Sequence, residues 1–345
     1  MARSVRPDHE ALVWEGAVEV VHGPDGSRPW RLPYSRIGLF PTEGLHGPAA
    51  MCAGVRILFG TDSTTVAGQV PTPVDVALSP VDLVVDGEPI LSTPVESDGW
   101  FRFSGLPAGR KTIEIWLPQY GDFRLLGLEI DTEADVWPPV RRQRPRLLVY
   151  GSSITQCRDA ASPTRTWPAL VAAELGAELT CLGMSGQCHL DPMVARVIRD
   201  RPADVIVTCL GINVHGNGSY NSRSFLPTAL GFLSTLRDGH AGVPIVVLSP
   251  IVSPPRERVI GGADLALADI RTDVHRAVRI LRDHGDAALQ VIDGRDILGP
   301  EHAHFLYDGI HPDAEGYQHM ASRLLTPLRE LEVFNGPAAP RTAED

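Results

Sequence analysis

The sequence predicts an α/β protein of two domains, an all-β sandwich or jelly roll followed by a parallel sheet covered by helices on both faces. Length is the first reason: 345 residues with 43% apolar content exceed one average domain and can bury two cores. Periodicity is the second. Up to about Pro139, short runs alternate apolar and polar residues and are broken by Gly, Pro, Asp and Ser, the pattern of antiparallel strands. The third is the change of rhythm after Arg146, where short, continuously apolar runs alternate with helical stretches, as in a parallel sheet buried on both sides.

In the front half, strands are expected over Gly54–Phe59, Val81–Val85, Trp100–Phe103, Thr112–Leu117 and Phe123–Ile130, with no helix. The stretch Val136 to Arg146 mixes prolines with four arginines and reads as a solvated linker, which divides the chain into domains 1–140 and 141–333. Beyond it the expected strands are Leu147–Tyr150, Glu178–Leu182, Val205–Leu210, Ile245–Leu248 and Gln290–Ile292. Helices are expected over Trp167–Leu175, Ser224–Arg237 and Leu265–His284. Residues 334–345, rich in Pro, Ala and charge, read as a disordered tail.

Composition removes several functions. With 31 basic against 42 acidic residues the net charge is -11, which leaves no electrostatic footprint for nucleic acid. No apolar run follows the first arginines and none approaches the length of a membrane span, so a cytoplasmic protein is expected. The odd number of cysteines, five, argues against a disulfide scaffold. Lys111 is the single lysine against thirty arginines, so the second half can build neither a P-loop lysine, nor a Schiff base, nor a serine-lysine dyad.

In a parallel sheet, ligands gather beyond the carboxyl ends of the strands, so the residues after each strand carry the chemistry. After the first comes Gly151-Ser152-Ser153; read alone it is a turn or a capping serine, but a serine there can also aim its hydroxyl into the cleft and its N–H at an oxyanion. After the second comes Gly183-Met184-Ser185-Gly186, a tight turn or a close backbone approach to a ligand. Asn213 follows the third, as an Asx-turn residue or as an amide donor to a developing alkoxide. Past the fifth, Asp308 and His311 stand three apart before Pro312, a capped helix start, a metal pair without a third ligand, or a base arriving with the carboxylate that orients it. His189 and His215 follow these turns as candidate substrate contacts or hydrogen-bonded structural histidines, and Trp167 lines the pocket or packs the first helix. Cys157 has nothing beside it to lower its pKa. No Gly-x-Ser-x-Gly is present, so an α/β-hydrolase elbow is not supported.

Serine in the first block, glycine in the second, asparagine in the third and Asp-x-x-His near the end resemble the SGNH (GDSL-type) hydrolase superfamily over roughly residues 145 to 330. The resemblance implies a flavodoxin-like α/β/α fold. It also implies Ser153 as nucleophile, His311 as base, Asp308 as its orienter, and an oxyanion hole made by Ser153, Gly186 and Asn213. The front half is similar to that of two-domain members, among them carbohydrate esterases and an acyltransferase acting on a tetracycline-type polyketide. Two positions depart from the family pattern: Ser152 replaces the usual aspartate before the nucleophile, and Val214 the aspartate after Asn213. The choice between Ser152 and Ser153 rests on alignment with the motif.

The expected activity is serine-dependent acyl transfer needing no metal or other cofactor, foremost ester hydrolysis on an acylated small molecule or sugar. The alternatives are an intracellular acyltransferase that moves an acyl group from a thioester such as acyl-CoA to a natural-product hydroxyl, and an inactive carbohydrate-binding protein. Oligomeric state is not legible.

Overall fold

Burial alternates along front strands such as Thr65–Gln69 and Gly127–Asp131 and is unbroken along back strands such as Ile245–Leu248. The computed structural model describes residues 2–335 apart from Val76, Arg141 and Arg142. The chain forms two compact units. One takes the described residues up to Ile37, those from Ala49 up to Val140, and Ala161–Thr164; the other takes Gly38–Pro48, Gln143–Ala160 and what is described from Arg165 onward.

The first unit is antiparallel. One sheet orders Ala2–Val5, Gly127–Asp131, Thr65–Gln69 and Trp100–Ser104; a second orders Val136–Trp137, Arg56–Thr61, Lys111–Trp116, Val81–Val85 and Glu88–Thr93, with Val13–Glu15 also paired to Arg56–Thr61; Glu19–Gly23 and Gly26–Trp30 form a two-stranded third. Period-two patterning sends Ile57, Phe59, Ile113, Ile115, Val66, Phe101, Phe103, Leu128 and Ile130 into one core. Val136–Trp137, expected in the linker, pairs instead with Gly60 and Thr61. Asp82, 2% exposed, accepts from the Ser162 hydroxyl and from the N–H and hydroxyl of Thr164, which fixes Ala161–Thr164 within this unit. Lys111 is 6% exposed, its Nζ donating to the Gly109 carbonyl at 3.0 Å.

The front half is not all-β. Glu43–Ala50 forms a helix, with Leu45, Pro48 and Ala49 buried at spacings of three and four. Gly44, Gly47 and Pro48 are poor helix formers, which is why composition hid it.

The second unit holds five parallel strands, β1 (Arg146–Gly151), β2 (Glu178–Gly183), β3 (Val205–Cys209), β4 (Ile245–Leu248) and β5 (Leu289–Ile292), in the order 2-1-3-4-5. This is the doubly wound flavodoxin-like order, whose switch point falls between β1 and β3. The helices are α1 (Ser153–Gln156), α2 (Trp167–Glu174), α3 (Pro192–Asp200), α4 (Ile212–Asn217), α5 (Phe225–Gly239), α6 (Leu267–Asp283), α7 (Gly294–Ile297) and α8 (Ala314–Arg329). They pack in two groups, α2 with α8 and α3 with α5 with α6, as a layer on each face of a fully covered sheet requires. The fold class is thus mixed α/β, a five-stranded parallel SGNH-like sheet plus antiparallel sheets. Part of the expected tail is ordered, since Glu332–Phe334 forms a 3-10 turn; residues 336–345 lie outside the described residues, as do two arginines of the expected linker. Among the described residues, no helix is long and apolar enough to cross a membrane.

Candidate active site

Three strand ends at the switch point supply backbone and side chains to one place. β1 stops at Gly151, and α1 starts at once because Ser152 caps it: the Ser152 Oγ accepts from the Ile154 N–H, and its own side chain is 1% exposed. Ser153 is therefore the first helical residue, whose N–H has no acceptor within the helix. Its hydroxyl, not that of Ser152, meets the imidazole: Ser153 Oγ lies 2.8 Å from His311 Nε2. The two adjacent serines are distinguished by geometry that the motif alone could not supply.

Gly183, at the end of β2, permits the turn that carries Ser153 to approach. A Cβ there would lie 2.4 Å from the Gln156 N, inside the backbone of α1. The turn is tied across by the Met184 N–H to the Gly151 carbonyl at 2.8 Å. Ser185 has a φ of +48° and donates its hydroxyl to the Gln156 Oε1 at 2.7 Å. Gly186 has open space where a Cβ would stand, so sterics do not explain its glycine.

Asn213, in the first turn of α4, accepts the Cys188 N–H on Oδ1 at 3.0 Å, which assigns the amide and leaves the NH2 end as its donor. The polar side chains that hold the 185–190 loop were not evident from spacing. His189 Nε2 and Asn217 Nδ2 lie 3.0 and 3.1 Å from the Gly186 carbonyl, with Asn217 Nδ2 also 3.1 Å from His189 Nε2. His189 Nδ1 is 2.8 Å from Ser219 Oγ. Tyr220 donates to the His189 carbonyl. His189, open on sequence between a substrate contact and a structural histidine, is bonded within its own loop.

His311 and Asp308 share one turn. Asp308 Oδ2 is 2.6 Å from His311 Nδ1, and Oδ1 accepts the N–H groups of Ile310 and His311 at 2.9 and 2.8 Å. Both oxygens are thus committed to N–H groups. Burial would raise this carboxyl, but its hydrogen bonds from the His311 N–H, the ring and the Ile310 N–H hold it down at about 2. Leu306 and Pro312 close the turn as an antiparallel bridge, and Gly309 takes a φ of +79° that L side chains resist. Tyr307 lies with its ring centroid 6.1 Å from that of His311 and donates its hydroxyl to Asp159. Partial desolvation, and then the Asp159 acceptor, push this phenol up to about 12.

Trp167 and His215, each open on sequence between substrate contact and structural role, are turned inward. Trp167 is fully buried and gives its indole N–H to the Ile154 carbonyl at 2.9 Å, so it packs beneath α1 and offers a substrate nothing. His215 is 5% exposed and bonded through Nε2 to the Val259 carbonyl, because its position on α4 turns it into the neighbouring loop. All five cysteines are thiols outside any disulfide, and burial pushes Cys157 well above its ordinary value.

A family profile named for the N-terminal domain of SsfX3 matches residues 12–126, and the profile of the GDSL-like lipase/acylhydrolase family matches residues 144–329. Among solved structures, the chain is similar to the salicylyl-acyltransferase SsfX3 from a tetracycline biosynthetic pathway, at 32% identity and a TM-score of 0.87 over 96% of this chain and 99% of that one. It shares its fold with a chain from Bacteroides ovatus named as a GDSL-like lipase (20% identity, TM-score 0.77, 96% and 98% covered). The same holds for a family two carbohydrate esterase from Clostridium thermocellum (15%, 0.65, 94% and 99%). No curated protein matches the sequence. More than half of the chain fits one profile, and a full-length relative stands above 30% identity; the chain belongs to the GDSL-like lipase/acylhydrolase family and is an enzyme of its esterase and acyltransferase type.

Proposed function

We propose that the protein transfers acyl groups through an acyl-Ser153 intermediate, and that water is the acceptor, so that it hydrolyses esters of acylated small molecules or sugars. The observation that carries this reading is the continuous chain from Ser153 Oγ through the His311 ring to Asp308, with links of 2.8 and 2.6 Å. As Ser153 Oγ bonds to the carbonyl carbon, its proton passes to His311 Nε2, and the carbonyl electron pair moves onto oxygen. The Ser153 N–H, the Gly186 N–H and the Asn213 NH2 face that oxygen in this reading. Collapse expels the alcohol or thiol, which takes the proton from Nε2. Water then repeats the steps in reverse roles and leaves the free acid and the original serine.

Water is favoured as acceptor because the His311 and Asp308 side chains keep 25% and 37% of their exposure, a site open to solvent. A second reading has a specific observation in its favour: the full-length likeness to a salicylyl-acyltransferase supports a small-molecule hydroxyl as acceptor and an activated acyl donor such as a thioester. The test is p-nitrophenyl acetate or butyrate with and without candidate alcohols, combined with intact mass after a fluorophosphonate. A single adduct on Ser153 and release of free acid are expected; acyl groups recovered as new esters would move the assignment to transfer, and no adduct would overturn the acyl-serine.

Asn213→Ala is expected to lower kcat by about 100 to 1000-fold with little change in KM, the usual loss for one oxyanion donor. Asn213→Asp keeps the acceptor for the Cys188 N–H but replaces the donor with charge, and should lose at least as much. Steady-state kinetics beside unchanged circular dichroism checks both.

A further inference from the structure

Beyond β4, the backbone of Pro250, Ile251 and Ser253 is held by a partly buried ion pair outside the triad. Arg271 on α6 is 3% exposed and donates from Nε to the Pro250 carbonyl at 3.0 Å and from Nη2 to the Ile251 carbonyl at 3.3 Å. Its two Nη atoms grip both oxygens of Glu257 at 2.9 and 3.0 Å, a bidentate pair. Glu257 Oε1 accepts the Ser253 N–H at 3.1 Å. Ser253 itself is 1% exposed, and its Oγ reaches the Gly309 carbonyl at 2.6 Å. A carbonyl can only accept, so the Ser253 hydroxyl proton points at Gly309; Arg256 Nη1, at 3.3 Å, supplies the other contact to this oxygen.

Gly309 stands between Asp308 and His311 in the turn that carries both. The turn's other bonds are mostly local: Asp308 to the N–H groups of Ile310 and His311, Gly309 N–H to the Leu306 carbonyl at 3.3 Å, and the Leu306–Pro312 bridge. Local bonds fix the shape of a turn and leave its placement to longer ties, of which the Tyr307 hydroxyl to Asp159 is one, at the turn's edge. Ser253 ties that shape to the end of β4, in the same sheet whose β1 delivers Ser153. A misplacement of about 1 Å between reacting groups can cost about 100-fold in rate.

We propose that Ser253 is a positioning residue of the acyl-transfer reaction, its hydroxyl seating the Asp308–His311 turn against Ser153, with Glu257 and Arg271 holding Ser253 in turn. The inference rests on reading Ser153, His311 and Asp308 as the triad. Glu257, although partly buried, is kept low by Arg271 and the Ser253 N–H, so the clamp stays charged.

The test compares Ser253→Ala with the wild-type full chain on p-nitrophenyl acetate. The expected result is a fall in kcat of about tenfold, between the loss of one hydrogen bond and a full misalignment, with KM within twofold. The low-field proton resonance of the His311 Nδ1–H, shared with Asp308, should broaden or move upfield in this variant. Ser253→Thr and Ser253→Val have nearly equal volume and differ in the hydroxyl, so they separate bonding from packing: Thr should keep at least a third of wild-type kcat and Val should fall to the level of Ala. Unchanged kcat in Ser253→Ala, a loss confined to KM, or equal activity of the Thr and Val variants would overturn the proposal. So would failure of all three variants to fold, which would make Ser253 a folding residue. Fluorophosphonate labelling keeps this distinct from the parent reading: a label on Ser153 with undiminished Ser253→Ala turnover sinks only the positioning role, and no label on Ser153 sinks the triad.

Discussion

Ser153→Ala is expected to lower kcat on an activated ester by about 10^4 to 10^6-fold and to abolish the fluorophosphonate adduct, because removal of the proposed nucleophile leaves only binding and the proposed oxyanion donors. The informative partner is Ser152→Ala. Ser152 is buried and spends its Oγ on the Ile154 N–H as the cap of α1, so its loss should cost about 1 kcal/mol of stability while Ser153 is still labelled. Intact mass and thermal melts on the two variants check the pair. Labelling that persisted in Ser153→Ala and vanished in Ser152→Ala would exchange their roles.

Asp308→Asn is expected to lower kcat by about 10^4-fold with the fold retained. The amide oxygen can still accept the Ile310 and His311 N–H groups, so the turn survives. Its NH2 end, however, faces His311 Nδ1, where it can only donate. That drives the ring to carry its hydrogen on Nε2, the atom that accepts the Ser153 proton in the proposed mechanism. Kinetics with circular dichroism checks this. In the native protein the carboxyl sits at about 2, below the ordinary carboxylate near 3.9. A depressed folded value means the stabilisation is present above the unfolded value and is lost as pH falls through about 2. The acid limb of a pH–rate profile above pH 4 therefore belongs to another group, and Asp308→Asn should lower the plateau rather than shift that limb into the range of a carboxylate.

The parallel sheet was legible because continuous apolar runs such as Leu147–Tyr150 and Val205–Leu210 can be buried on both faces only as central strands. Short partners such as Val13–Glu15 carry too few residues for periodicity to register, and the glycines and proline of Glu43–Ala50 disguise a helix that packing imposes. At the site, residue types were readable at strand ends, because topology sends those ends to one edge. Which hydroxyl faces the base was not, since a cap and a nucleophile look alike until the turn is built. Nor were Gln156, Asn217 and Ser253, whose partners lie 29, 31 and 56 residues away. Trp167 and His215 stand near the right segments, but helix phase turns them into the interior. Proximity in sequence to a strand end gives no direction.

The buried ammonium of Lys111 bears on how the chemistry can be observed. Activated esters and thioesters modify surface amines on their own, and in most proteins that background blurs any count of acyl groups. Here the catalytic unit carries no ε-amino group and the one the chain has is folded against the Gly109 carbonyl. Stray acylation of ε-amines is thereby nearly absent from the background against which an acyl-enzyme mass is counted.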